Sequence, residues 1–270
     1  MVRAMIDGLE DVAQVNSQGW NALQIMCESG DVKGFEAFIE KGADIHAVNP
    51  DGQAPIHLAA FHRRDDILER LLDLGVDANM RGTDDVTPLH AACWNGTSRA
   101  VSLLIDRGAD VTAEATGAAL TPLFIISSHE CMDKIGLLAK AGVDIFATHP
   151  QNGFTLLHQA ALDDNPELIK AAIQSGFDPQ VWSGLTESIQ VEMTPLHVAS
   201  INNSPDAVQA LLDAGAKVNY PFTDEDGRFF TPMGLALAHR HSNLVSMLKK
   251  AGGYSTVEEA VQKLKAQYPD

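Results

Sequence analysis

The chain has 270 residues, 45% hydrophobic and 20% charged, the composition of a folded soluble protein. Its formal charge of −17 and pI near 4.8 exclude a duplex nucleic-acid binder, which needs clustered Lys and Arg, and favour a basic partner. No stretch approaches the ~18 consecutive apolar residues of a membrane span, and three scattered cysteines, Cys27, Cys93 and Cys131, give no disulfide framework and indicate a reducing compartment.

The N-terminus, MVRAMIDGLEDV, has one basic residue and no apolar core of signal-peptide length. LEDVAQVNSQG at 9–19 aligns with GADIHAVNPDG at 42–52, so the sequence opens near the end of a second helix rather than at a repeat boundary. Residues 1–19 are therefore expected to form a partial N-terminal repeat or cap, or the cut edge of a longer protein.

From residue 20 one unit recurs: WNALQIMC at 20–27, QAPIHLAA at 53–60, VTPLHAAC at 86–93, LTPLFIIS at 120–127, FTLLHQAA at 154–161, MTPLHVAS at 193–200 and FTPMGLAL at 230–237. Aligned on Asn21, Ala54, Thr87, Thr121, Thr155, Thr194 and Thr231, the copies are 33, 33, 34, 34, 39 and 37 residues apart. A glycine follows each alignment position by 21 residues: Gly42, Gly75, Gly108, Gly142, Gly176, Gly215 and Gly252. Each unit is thus two short helices of fixed combined length. A threonine hydroxyl caps the first, and proline fits its first turn, where a missing N–H is no loss. The second, as in DDILERLLDLG at 65–75, has helical apolar spacing and stops at a glycine suited to the left-handed position beyond a helix end. Variation is confined to the following connection, which lengthens from 12 residues to 18 before Thr194 and 16 before Thr231. Finally, YSTVEEAVQKLKAQYPD at 254–270 carries two capping-box patterns and is expected to form a C-terminal capping helix.

Thr-Pro-Leu-His at 87–90 and 194–197, with Gly-Ala-Asp at 42–44 and 108–110, resembles the ankyrin repeat family over roughly residues 9–253. The resemblance implies an all-α ankyrin-repeat solenoid, a single domain of seven stacked helix-turn-helix units over 20–253 with β-hairpin-like finger loops. It also implies that His57, His90, His158 and His197 are structural, bonding the threonine hydroxyl and neighbouring backbone. Departures such as Phe124 for His, Leu156 for Pro and Gly234 for His are expected only to weaken local hydrogen bonds. Cys27 and Cys93 fall where other copies have alanine or serine and are expected to be small packing residues, with Cys131 between two helices and exposed.

Family members make contacts just before the capping position, at the end of the first helix and at the fingertips. Carried over, these places put Trp20, Phe154, Met193 and Phe230 in one series, Phe61, Trp94, Leu162 and Ile201 in a second, and His62 and Asn95 beside the second. The long fingers add Trp182, Tyr220, Phe222 and Arg228. An apolar, partly aromatic groove for a peptide or helix is expected, because exposed aromatic anchors dominate interface energy. Leu71, Asp77 and Asn79 resemble the substrate pattern of the asparaginyl hydroxylase that modifies ankyrin fingers, which marks Asn79 for hydroxylation.

No nucleophile elbow, zinc-protease helix, phosphate loop or paired-cysteine motif is present. No enzyme activity, cofactor or metal is therefore expected. The sequence reads as a monomeric cytoplasmic interaction module that binds a protein, without a nucleic-acid partner. Two alternatives stand beside a scaffold or adaptor: an effector acting in a host cytosol, and the substrate-recognition part of a larger enzyme.

Overall fold

The computed structural model describes residues 14–17, 19–116, 120–126, 129–186, 192–223, 228–256 and 259. The chain divides into two compact units, Met1–Val143 and Asp144–Asp270. The first holds three helix pairs and a lone helix: α1 (Ala22–Ser29) with α2 (Val32–Glu40), α3 (Pro55–Phe61) with α4 (Asp65–Asp73), α5 (Pro88–Trp94) with α6 (Ser98–Asp106), then α7 (Cys131–Lys140). The second holds α8 (Leu156–Leu162) with α9 (Pro166–Gln174), α10 (Pro195–Ile201) with α11 (Pro205–Asp213), and α12 (Pro232–Ala238) with α13 (Ser242–Lys250). A short hairpin precedes α12, with β1 (Phe222–Thr223) antiparallel to β2 (Phe229–Phe230) and Phe222 opposite Phe230.

The repeat pattern produces this architecture directly. Proline opens α3, α5, α10 and α12 at the first turn. All seven glycines at the ends of the second helices have positive φ, from 78° at Gly42 to 100° at Gly176. A side chain there would be strained, so the chain can reverse into the finger at those points. First helices pack side by side through Leu58, Ala59 and Ala60 of α3 and Leu89, Ala92 and Cys93 of α5, all buried. Second helices close the layer with Ile67, Leu68, Leu71, Val101 and Leu104. Each fully buried leucine or isoleucine contributes about 1.5–3 kcal/mol.

In four repeats a histidine ring bonds a backbone carbonyl of the next finger within the same unit. In α5, His90 Nδ1 accepts from the Thr87 N–H at 3.2 Å and from the Thr87 hydroxyl at 2.8 Å. Nδ1 is therefore unprotonated, the proton sits on Nε2, and Nε2 donates to the Leu120 carbonyl of the next finger at 2.9 Å. His57 reaches the carbonyls of Met80 and Val86 (2.9 and 3.1 Å), His158 that of Met193 (2.8 Å) and His197 that of Tyr220 (2.8 Å). The first repeat achieves the same geometry with a non-titrating pair. Asn21 and Gln24 cap each other at 2.9 Å, and Gln24 Nε2 donates to the Ala47 carbonyl at 2.9 Å. In the seventh, Gly234 leaves room for the Ser255 backbone, and the Thr231 hydroxyl itself donates to the Tyr254 carbonyl.

A second set of links seals the far ends of the first helices. Arg64 Nε donates to the Glu28 carbonyl at 3.0 Å, Asn95 Nδ2 to that of Phe61 at 3.1 Å, Lys134 Nζ to that of Cys93 at 3.1 Å, and His241 Nε2 to that of Ile201 at 2.9 Å. Each satisfies a carbonyl that its own helix leaves open. In the first unit the second helices are also laced by Arg70–Glu36, Arg99–Asp66, Arg99–Glu69 and Arg107–Asp73 at 2.7–3.3 Å. These pairs are exposed, and each contributes less than about 1 kcal/mol.

The fourth repeat departs from expectation. Residues 121–126 form successive turns, with Phe124 N–H bonded to the Thr121 carbonyl at 3.0 Å, and no helix. The substitution of Phe124 for histidine does more than weaken a bond. A phenyl ring cannot cap Thr121 or reach the next finger, and Ile125 and Ile126 are β-branched and stiff at χ1. Phe124 is instead buried with Leu123 and Ile126. The N-terminal cap expected before residue 14, the finger segments 187–191 and 224–227, and most of the C-terminal capping helix lie outside the described residues. At that helix's start, the Thr256 hydroxyl accepts from the Glu259 N–H at 3.1 Å, one of the two expected capping bonds.

The fold makes two measurements decisive. Burial pushes the His158 and His197 imidazoles down to about 4, from an ordinary value of 6.5. The unfolded chain then binds more protons between those values, so stability is complete above pH 6.5 and falls as the pH drops toward 4, by up to about 3 kcal/mol per imidazole. His158→Gln and His197→Gln, which copy the Gln24 arrangement, should flatten that dependence in thermal unfolding from pH 7 to 4.5. Amide exchange at residues 123–126 should be at least about tenfold faster than at Leu89–Trp94, because turns without a capped helix open locally.

Candidate functional site

The ends of α1, α3 and α5 present three residues that share one repeat position: Glu28, Phe61 and Trp94. Adjacent first helices pack together, so the three form a row across successive repeats. Trp94 is 52% exposed and meets Phe61 edge-on, with centroids 5.3 Å apart and planes at 79°. His62 meets Phe61 in the same manner at 5.1 Å. Burial holds the His62 imidazole below its ordinary pKa, against the pull of the Glu28 carboxylate nearby. Asn95 is tied down by its bond to the Phe61 carbonyl, which fixes the loop that follows Trp94. The row is therefore a rigid aromatic ledge with a carboxylate at one end. Trp20, just before the Asn21 cap at the other end of α1, is half-buried, and its backbone closes a turn with Asn16.

In the second unit, Leu162 and Ile201 sit half-buried at the ends of α8 and α10, and Phe230 is half-buried in β2. Trp182 leans on Tyr220 at 5.2 Å, with Lys217 Nζ 5.2 Å over the Tyr220 ring. Half-buried Met193 bonds Ser183 through its backbone at 2.9 and 3.0 Å, which ties the long finger's return to its outgoing arm. Phe154 corrects the expectation that placed it in a binding series. It is buried, stacked 5.4 Å from the His158 ring, because its finger closes tightly through the His149–Phe154 backbone bond at 2.7 Å. The contact residues just before the capping position are thus not a uniform exposed stripe.

Other candidates are accounted for by local chemistry. Arg63 pairs with Glu130 at 3.0 Å and Arg64 grips the Glu28 carbonyl, so the His62-Arg63-Arg64 stretch is engaged in the fold. Asn79 donates to the Gly108 carbonyl at 2.9 Å and accepts from the Asp110 N–H at 2.6 Å. Hydroxylation at Asn79 would have to act on a side chain clasped between two fingers. Cys131 was expected to be exposed, yet it is buried at the first position of α7. Lys134, one turn later, is also fully buried. Burial lowers its pKa and raises that of Cys93 to about 12. A sequence reading takes a lysine on a short helix for a solvated residue, and only the loss of the preceding helix shows where its stem goes. Among the described residues, no group of His, Cys, Asp and Glu could hold a metal ion, and no helix is long and apolar enough to cross a membrane.

A family profile described as "Ankyrin repeats (3 copies)" matches residues 23–115 and 157–258. The chain belongs to the ankyrin repeat family. The interval between the two matches contains the fourth repeat, where described residues 120–126 form no helix. The fold is that of an all-α ankyrin-repeat solenoid. The human ASB11 ankyrin repeat domain aligns at TM-score 0.62 with 21% identity, covering 80% of this chain and 92% of that one. The ankyrin repeat domain of Bcl-3 aligns at 0.57 with 22% identity, covering 80% and 94%. Among curated proteins, the E3 ubiquitin-protein ligase XBAT32 of Arabidopsis thaliana is 35% identical over 107 residues, 32% of this chain and 21% of the ligase. The putative ankyrin repeat protein FPV031 of Fowlpox virus (strain NVSL) is 29% identical over 130 residues, 48% of this chain and 36% of that protein. The matched region is thus a minor part of each curated relative's length.

Ankyrin repeats are protein–protein interaction modules, and the thiols of this ankyrin chain belong to its packing. Ellman's reagent at pH 8 should find less than one reactive thiol in the native protein and three in denaturant. Rapid reaction of Cys131 in the native state would contradict its burial.

Proposed function

We propose that this chain is a non-catalytic protein-binding module of scaffold or adaptor type, which holds a peptide or helix against the finger-and-first-helix face. The observation that carries this reading is the exposed Trp94 braced edge-on by Phe61 at the end of adjacent first helices. Aromatic anchors backed by a rigid scaffold are the residues that dominate interface energies. Leu162, Ile201 and the Trp182–Tyr220 pair supply further contact area on the second unit's own face. Three free, buried cysteines suit a reducing compartment such as cytoplasm.

One observation favours a second reading. The named relatives include a plant E3 ubiquitin-protein ligase that matches over its repeats. In that setting the repeats serve as the substrate-recognition portion of a longer ligase chain, and the full reading frame decides it. In both readings the chain selects a protein and leaves covalent chemistry to others.

The test is a pull-down from lysate of the native organism, read by mass spectrometry, with wild type against Phe61→Ala/Trp94→Ala. A partner held by wild type should lose at least about tenfold in affinity to the variant, while circular dichroism stays helical. A partner held equally by both would move binding off this face and sink the reading.

A further inference from the structure

Resting on that reading of the first unit's face, we infer that the Glu28–Phe61–Trp94 row is a subsite for cationic side chains, and that its occupant is a basic, Lys- or Arg-bearing peptide segment. Three observations carry the inference. The first is geometry. Trp94 is braced edge-on by Phe61, which leaves its indole exposed in a fixed orientation at the row's outer end. An indole face is the strongest aromatic surface for a cation, because its quadrupole places negative charge above the ring.

The second is charge. Residues 1–143 carry 21 Asp and Glu against 11 Lys and Arg. Among the described residues, the Glu28 carboxylate at the row's other end enters no ion pair. The cations around it have other employment: Arg64 bonds the Glu28 carbonyl, and Arg63 is held by Glu130. Burial holds the His62 imidazole beside it below its ordinary pKa. An incoming ammonium or guanidinium therefore finds a carboxylate and two aromatic rings, with no competing cation paired to that carboxylate.

The third is what the row lacks. An acidic peptide would set its carboxylates against this excess of negative charge and against the negative ring faces. A purely apolar helix would cover Phe61 and Trp94 but leave Glu28 desolvated and unpaired, which costs binding energy. A basic segment satisfies both ends.

The test uses the full chain and three fluorescein-labelled Gly-Ser decapeptides, bearing four lysines, four arginines or four glutamates. Binding is read by polarization at two salt concentrations. The lysine and arginine probes should bind and the glutamate probe should not. Trp94→Leu keeps apolar bulk but removes the ring, and should weaken the basic probes about three- to tenfold at both salt concentrations. Glu28→Gln should weaken them mainly at low salt, and Phe146→Leu, at an exposed phenyl in the other unit, should leave them unchanged. Equal binding by wild type, Trp94→Leu and Glu28→Gln would show general attraction to an acidic surface and overturn the inference. Binding of the glutamate probe, or of none, would overturn it too. None of these failures touches the pull-down result for Phe61→Ala/Trp94→Ala, so a groove for a non-basic partner would remain distinguishable.

Discussion

A neutral imidazole that carries its proton on Nε2 is the constraint on which the array rests. The Thr N–H and hydroxyl occupy Nδ1, so the other nitrogen has one tautomer and one task, which is to hold a carbonyl of the next finger. Helix pairs on their own bury one face and expose the other. The bond gives each pair its register against its neighbour, and apolar packing then follows in a fixed direction. Because the bond fixes a single carbonyl, the rest of the finger is free to lengthen. His158 takes Met193, just after its finger's insertion, and His197 takes Tyr220, just before the next one. Extra residues loop away from the joint without disturbing it.

The candidate face is a consequence of the same register. Helices of seven or eight residues, capped at the same position, reach the same height at the seventh place. Whatever occupies the seventh place after the cap is therefore presented in line with its counterparts. In the first unit the line reads carboxylate, phenyl, indole, and a bond from the next repeat locks the backbone at Phe61. Side chains on such a line lose little conformational freedom when a partner arrives, which is the usual obstacle to affinity.

Much of this is legible in the letters, for identifiable reasons. Thr-Pro-x-His and the glycine 21 residues later are local signals, and each specifies a backbone conformation that hardly depends on surroundings. Errors arise where one residue's environment is set by another repeat. Phe124 reads as a single lost hydrogen bond, but it removes both the cap and the joint, and a helix of seven residues does not survive that loss. Lys134 gives no reading at all, because nothing in the letters shows that its stem is buried and its ammonium reaches the end of α5. Phe154 reads as an anchor, yet the finger's own closure stacks it on His158. Cys131 reads as a loop residue, but α7 begins there and carries it inward.

The joints are chemically unequal along the sequence. Those of the first and seventh repeats use an amide or a hydroxyl, which hold no exchangeable charge in the biological range, while those of the second, third, fifth and sixth use imidazoles. Linear arrays ordinarily lose their outermost units first, since those have one neighbour instead of two. Acidification reverses that order here, because it attacks only inner links and spares the outer ones. Within each unit, a chain carried into an acidic vesicle would lose its imidazole joints first, while the Gln24 and Thr231 links hold.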